Sequence, residues 1–161
     1  MSEHKRIILV GRAASGKDYL RAKFIDRGFT PSISMTTRPP RPHEINGKDY
    51  IFISEEDATR MIENDEFYEY VRFNGWLYGT TKQQFNEDDI FIMTPAGISK
   101  IKPEDRAKCF IIFIDIPSAI IRERLTLRIM PGDTLDRRLK SDDLDFNGFT
   151  DYDIRVNNPN F

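Results

Sequence analysis

Seven residues, Gly11-Arg12-Ala13-Ala14-Ser15-Gly16-Lys17, follow the apolar run Ile7-Ile8-Leu9-Val10. Their Gly-x-x-x-x-Gly-Lys spacing is that of a phosphate-binding loop. The chemistry comes from the backbone. A strand ends, a tight turn exposes successive N–H groups, and a helix begins with its positive dipole end toward the anion. Lys17 adds a full charge for the outer phosphates of a nucleoside triphosphate. The next residue in such loops is usually Ser or Thr, whose hydroxyl holds Mg2+. Here it is Asp18. A carboxylate there either ligates the metal, directly or through water, or repels the phosphates when metal is absent.

A second group of chemically capable residues lies between positions 34 and 85. Arg38 and Arg41 flank Pro39-Pro40, and the prolines stiffen the backbone that carries them. Planar, permanently charged forks suit phosphate oxygens. Tyr50 and Tyr78 each offer a hydroxyl donor, and Ser34, Glu69 and Thr80 can read the edge of a base. Taken singly, each has a plainer role: loop arginines are solvated, and regularly spaced aromatics pack a small core. The two histidines, His4 and His43, sit in polar surroundings and do not make a metal site. Cys109 adjoins Phe110-Ile111-Ile112-Phe113-Ile114 and reads as a buried structural thiol.

These residues need elements to hold them. Residues 6–10, 90–93 and 109–116 are near-continuous apolar runs, the pattern of strands covered on both faces. The pattern Tyr19, Leu20, Lys23, Phe24 makes 16–27 a helix, stopped by Gly28. Pro117 suits the first turn of another, with Ile121, Leu125 and Ile129 on one face, and Asp115 just before it reads as ordinary capping. Residues 134–145 are again helical and 154–156 a last short strand. The layout is a parallel sheet wrapped by helices, with ligands at the carboxyl ends of the strands. Residues 34–85 break that rhythm. They form a small, partly antiparallel insertion with turns at Asn46-Gly47 and Asn74-Gly75 and one helix over 55–64, opened by the capping pattern Ser54-Glu-Glu-Asp57. Residues 128–138, polar and containing Pro131-Gly132 and three arginines, read as a loop or lid.

Size and composition bound the rest. A chain of 161 residues is one domain. A hydrophobic fraction of 39% and a charged fraction of 31% fit a soluble globular protein. The net charge of −2 gives no basic field for nucleic acid, and one cysteine allows no internal disulfide. No apolar run approaches the ~20 residues of a membrane span, and the N-terminus leads directly into a strand, so the expected location is the cytoplasm.

The stretch Ser34-Met-Thr-Thr-Arg-Pro-Pro-Arg-Pro-His-Glu-Ile-Asn-Gly-Lys-Asp-Tyr-Ile-Phe-Ile-Ser54 resembles the nucleoside-monophosphate-binding signature of guanylate kinases, as do Glu66-Phe-Tyr-Glu-Tyr70 and Trp76-Leu-Tyr-Gly-Thr80. That resemblance implies an α/β P-loop nucleoside monophosphate kinase fold: a central parallel sheet flanked by helices, a mixed α/β monophosphate-binding insertion and a short lid. The single domain 1–161 would divide into a core (1–33, 86–123 and 139–161), a monophosphate subdomain (34–85) and a lid (about 124–138). It implies ATP-dependent phosphorylation of GMP and dGMP by direct in-line transfer, with Mg2+ accompanying ATP; the ligand role for that ion falls to Asp18 from the chemistry of its carboxylate and not from the resemblance. ATP would be held by Gly11, Arg12, Ala13, Ala14, Ser15, Gly16, Lys17, Asp18 and Asn157. GMP would be held by Ser34, Arg38, Arg41, Tyr50, Glu69, Tyr78 and Thr80. Lys17, Arg38, Arg128 and Arg138 would be catalytic, with Arg124 also among the lid arginines. The partners implied are these nucleotides alone, with no nucleic acid or membrane, in a monomer or weak dimer.

The chain departs from the family pattern at Asp18. It departs also at Ile92 and Thr94, where the family carries aspartates; Asp115 at the end of the next strand is a partial substitute if it does not cap. It stops at Phe161, where the family usually continues into a helix, and its lid is short. Reduced size with a retained site resembles phage-encoded enzymes, for which the location becomes the host cytoplasm. Two other readings stay open: a deoxynucleoside monophosphate kinase of broader specificity, and a non-catalytic guanylate-kinase-like binding module. Such modules typically lose the phosphate loop, which this chain keeps.

Overall fold

The structure is a computed structural model and describes residues 5–127, 139 and 143–161. The first strand, β1 (Arg6–Gly11), is central. Ile8 and Val10 are buried on one face and Leu9 on the other, all fully inaccessible. Both faces must therefore be covered, which is why the run is apolar without alternation. β1 leads through the glycine loop into α1 (Lys17–Asp26).

The chain then builds a second sheet. β2 (Met35–Thr36) and β3 (Ile51–Phe52) pair in parallel, and β4 (Phe67–Phe73) and β5 (Trp76–Thr81) form an antiparallel hairpin, giving the order β3-β2-β5-β4. Asn74 and Gly75 turn the hairpin with φ of 52° and 82°. Between β3 and β4 runs α2 (Glu55–Glu63), whose first turn is capped as expected: the Ser54 hydroxyl accepts from the Asp57 N–H at 3.0 Å. Ala58, Phe67 and Leu77 form the small core beneath.

The insertion holds one helix more than expected. α3 (Lys82–Glu87) begins at a reciprocal capping box, in which the Thr81 hydroxyl accepts from Gln84 N–H at 3.1 Å and Gln84 Oε1 accepts from Thr81 N–H at 2.9 Å. The chain then returns to the first sheet as β6 (Ile90–Ile92). Two short helices, α4 (Pro95–Ile98) and α5 (Pro103–Arg106), were also not anticipated; each starts on a proline. β7 (Cys109–Ile114), α6 (Ser118–Thr126) and β8 (Ile154–Val156) complete a parallel sheet of order β6-β1-β7-β8.

One face of this sheet carries Ile8, Val10, Phe91, Ile111 and Phe113 with Phe85 and Ile98; the other carries Leu9, Ile112 and Ile114 with Ile121 and Leu125 of α6. Phe146, Phe149 and Tyr152 gather around the Phe113 ring. Residues 124–126, expected in the lid, continue α6. Leu127 ends that helix, and residues 128–138 of the expected lid, with Arg128, Ile129 and Arg138, lie outside the described residues, as does most of the helix expected over 134–145; residues 143–146 are helical. Among the described residues no helix is long and apolar enough to cross a membrane.

Candidate active site

The expected donor site is the loop between β1 and α1. Ala14 takes φ of 59° and Gly16 φ of 103°, so two loop residues sit in the left-handed region. The Lys17 ammonium donates to the Gly11 carbonyl, curled over the loop. α1 leaves the N–H groups of its first turn without intrahelical acceptors, as every helix does. Asp18, its second residue, is exposed. Arg12 reaches sideways to Asp143 at 2.9 Å and to the Ser118 hydroxyl at 3.4 Å. Ser15 is fully buried, and its hydroxyl has no hydrogen-bond partner among the described residues. Asn157 is exposed just past β8.

Arg124 does not point free into a lid. Its guanidinium donates to the Ala14 carbonyl at 2.9 Å and to the Pro159 carbonyl at 3.4 Å.

The residues expected to hold the acceptor lie on and around the second sheet. Arg38 meets Glu44 through two hydrogen bonds of 2.8 Å. Glu44 Oε1 also accepts the Arg41 N–H at 2.8 Å. The Arg38 guanidinium stands 5.3 Å from the Tyr50 ring centroid, and the Tyr50 and Tyr78 rings meet edge-on at 6.0 Å. The Tyr78 hydroxyl is also within hydrogen-bonding reach of Arg38. Three of the four expected phosphate-holding groups thus converge, and Arg41 is close enough that its charge acts on Glu44.

The electrostatics follow this geometry. The Glu44 hydrogen bonds hold the Arg38 proton more tightly than usual. Burial alone would raise the Glu44 carboxyl, but the Arg38 bond, the Arg41 N–H and both positive charges outweigh it, and the net shift is downward. Burial pushes the Tyr50 hydroxyl up, with smaller contributions from Tyr78, Arg38, Glu44 and Asp18.

Beyond the cluster lies a polar row. In the β4–β5 ladder Glu69 stands opposite Thr80, and they are 7% and 3% exposed. The β2–β5 register pairs Met35 with Gly79 and Thr36 with Tyr78, and Ser34 immediately precedes β2. Glu69 and Thr80 therefore lie across neighbouring strands, with Ser34 just before the strand on the other side of β5. Burial raises the Glu69 carboxyl, opposed by the Thr80 hydrogen bond and the charge of Lys100. The backbone of α4 backs this carboxylate so closely that a Cβ on Gly97 would sit 3.1 Å from Glu69 Oε2.

At the two positions where aspartates were expected, Thr94 caps α4 by accepting the Gly97 N–H at 3.1 Å, and Ile92 is a half-buried residue of β6. Asp115 neither caps α6 nor joins the acceptor site. It pairs with Arg155 at 2.7 Å, and Pro117 holds the cap position. Cys109 is buried as expected, and its thiol is pushed up by that burial. Sequence reasoning missed Glu44, although it is the carboxylate nearest in sequence to Arg38 and Arg41 in a basic stretch.

A parallel-sheet core with a glycine-rich loop and a separate arginine–tyrosine cradle on an inserted sheet is the fold of P-loop nucleoside monophosphate kinases. The family model "Guanylate kinase" matches residues 3–158. The chain is 35% identical to the guanylate kinase of Sus scrofa over 138 residues, 80% of this chain and 69% of that protein. It is 34% identical to the guanylate kinase of Thermotoga maritima over 129 residues, 75% of this chain and 62% of that protein, a little under two thirds of the latter's length. The crystal structure of guanylate kinase from Anaplasma phagocytophilum shares the fold, with a TM-score of 0.74 at 24% identity, over 98% of this chain and 78% of that one. The chain belongs to the guanylate kinase family.

Proposed function

We propose that this protein transfers the γ-phosphoryl group of ATP to GMP, and to dGMP. The observation that carries the reading is the convergence of Arg38, Tyr50 and Tyr78 at the second sheet, which also holds the buried Glu69–Thr80 pair, in a chain that retains the phosphate loop. The loop amides and Lys17 grip the donor's phosphates, with Asn157 near its base. Arg38, Arg41, Tyr50 and Tyr78 grip the acceptor's phosphate. Ser34, Glu69 and Thr80 read guanine. A carboxylate accepts from N1–H and the 2-amino group, which guanine offers side by side. Adenine offers neither there and would leave a buried carboxylate unpaired.

The acceptor's phosphate is already largely ionised at neutral pH, so its oxygen needs no general base. It attacks the γ-phosphorus as the bond to the β–γ bridging oxygen breaks. Alignment and positive charge supply the catalysis: Lys17 and Arg38 from the described site, with Arg128 and Arg138 from the lid. Residues 34–85 act as the monophosphate-binding unit that closes toward the core.

Mg2+ fits the donor set in a limited way. Among the described residues no group of three or more acidic, His or Cys side chains could hold a metal, but Asp18 offers one exposed carboxylate beside the loop. One carboxylate plus substrate phosphates is a usual Mg2+ environment. When bound, the ion neutralises charge on the transferring phosphates. The cytoplasm, where both nucleotides are available, is the setting this reading implies.

The test is a crystal structure with GMP and a non-hydrolysable ATP analogue. The GMP phosphate should contact Arg38, Arg41, Tyr50 and Tyr78, with guanine against Glu69. A GMP phosphate bound elsewhere overturns the reading.

A further inference from the structure

The phosphate loop holds two residues in the left-handed region, Ala14 and Gly16. For Ala14 that conformation carries a steric cost, which persists only when the surroundings fix it. Both residues are gripped from outside the loop, and both grips lead to one segment. Arg124 donates one hydrogen bond to the Ala14 carbonyl at 2.9 Å and a second to the Pro159 carbonyl at 3.4 Å. The Phe161 ring lies on the bare α-carbon of Gly16, where a Cβ would meet its Cζ at 2.8 Å. The same ring contacts Tyr19 of α1 edge-on at 6.1 Å and packs in the cluster that contains Leu9, Ala13 and Leu20.

We propose that residues 157–161 are a positioning element of the donor site, in which Phe161 acts through Gly16, and Pro159 acts through Arg124 and Ala14, to keep the loop in its anion-ready shape. The inference rests on reading the loop as the ATP site. Phe161 need not touch a phosphate. It fixes the backbone whose N–H groups do, so the loop loses less freedom when the nucleotide arrives. Among the described residues no hydrogen bond, ion pair or ring contact named above joins this segment to the acceptor cluster, so the effect should fall on one substrate only.

Phe161→Ala, with Phe161→Leu as the conservative variant, separates the possibilities. Calorimetric titration of ATP and of GMP should show ATP binding about tenfold weaker in Phe161→Ala and GMP binding within about twofold of the parent. The KM for ATP should rise in parallel, and Phe161→Leu should recover most of the loss. Equal weakening of both nucleotides, or an unchanged ATP affinity, overturns the proposal. A second measurement needs no variant. Coupling is reciprocal, so ATP must in turn steady the segment. Amide exchange at Asn158, Asn160 and Phe161 should slow with ATP and not with GMP; unchanged exchange with ATP overturns the proposal. A parent protein that binds no ATP contradicts the functional reading as well, whereas a parent that binds ATP indifferently to Phe161 contradicts this inference alone.

Discussion

Arg38 and Glu44 meet fork to fork, with two hydrogen bonds of 2.8 Å between side chains only 12% and 7% exposed. Such a pair repays its desolvation only when the geometry is good and the remaining lone pairs are used. Here the Arg41 N–H takes one of them. The consequence is an arginine fixed in place before any substrate arrives, on a backbone already stiffened by Pro39 and Pro40.

Replacing Arg38 by Met should lower turnover by about three orders of magnitude, as expected for loss of a charge aimed at the transferring group. Glu44→Gln should be milder: the cradle stays, the arginine loosens, and kcat/KM for GMP falls about 10–100-fold. Because the Glu44 carboxyl is held below its ordinary range, its contribution to stability is present above the ordinary carboxylate pKa and is lost as pH falls through the lowered value. Denaturant unfolding should therefore find Glu44→Gln less stable than the parent by about 1–3 kcal/mol at neutral pH, with the difference vanishing in acid.

Glu69 carries the opposite sign. Burial raises its carboxyl, so the folded protein holds that proton more readily than the unfolded chain does. Stability is thus lost as pH rises above the ordinary carboxyl pKa. Glu69→Gln should raise the melting temperature at neutral pH and leave it unchanged in acid, while weakening GMP binding at least tenfold. Thermal scans at two pH values, set beside GMP titrations, check both halves. A variant with neither change would remove Glu69 from the recognition of guanine.

Much of this was legible in the sequence, and the reasons are physical. Strands buried on both faces write themselves as unbroken apolar runs, so β1 and β7 were plain. The cap at Ser54 and the turn at Asn74-Gly75 depend on local chemistry that a short window contains. What escaped was either too short to show a period or settled by distant contacts. α4 and α5 are four residues each and α3 is six; they are held by caps and prolines rather than by an amphipathic stripe. Thr94 read as the site of a lost carboxylate because its cap bond to Gly97 belongs to a helix nobody would draw from Pro-Ala-Gly-Ile. Glu44 was visible as a residue, but its turn back onto Arg38 was not. Arg124 groups with the lid in the sequence because nothing local marks where α6 ends, and its bonds span 110 positions to Ala14 and 35 to Pro159.

Asp18 stands, exposed, where a hydroxyl residue is usual. As the metal's carboxylate ligand it should set the Mg2+ requirement. Asp18→Asn should raise the Mg2+ concentration for half-maximal rate about tenfold, and Asp18→Ser, which restores the usual hydroxyl, should come closer to the parent. Identical metal dependence in all three proteins would end the assignment.

Ser15 hides its hydroxyl with no partner among the described residues. An unsatisfied buried polar group costs about 1–3 kcal/mol. Ser15→Ala should accordingly be more stable than the parent by about 1 kcal/mol in chemical denaturation. A less stable variant would mean that the hydroxyl is satisfied by water.

The most direct measurement is a coupled ADP-release assay with ATP and, in turn, GMP, dGMP, AMP, CMP, UMP and dTMP. Turnover with GMP and dGMP, and at least a hundredfold lower kcat/KM with AMP, is the predicted result. Turnover spread evenly over the bases, or none with any acceptor from a protein that still binds GMP, would contradict the account.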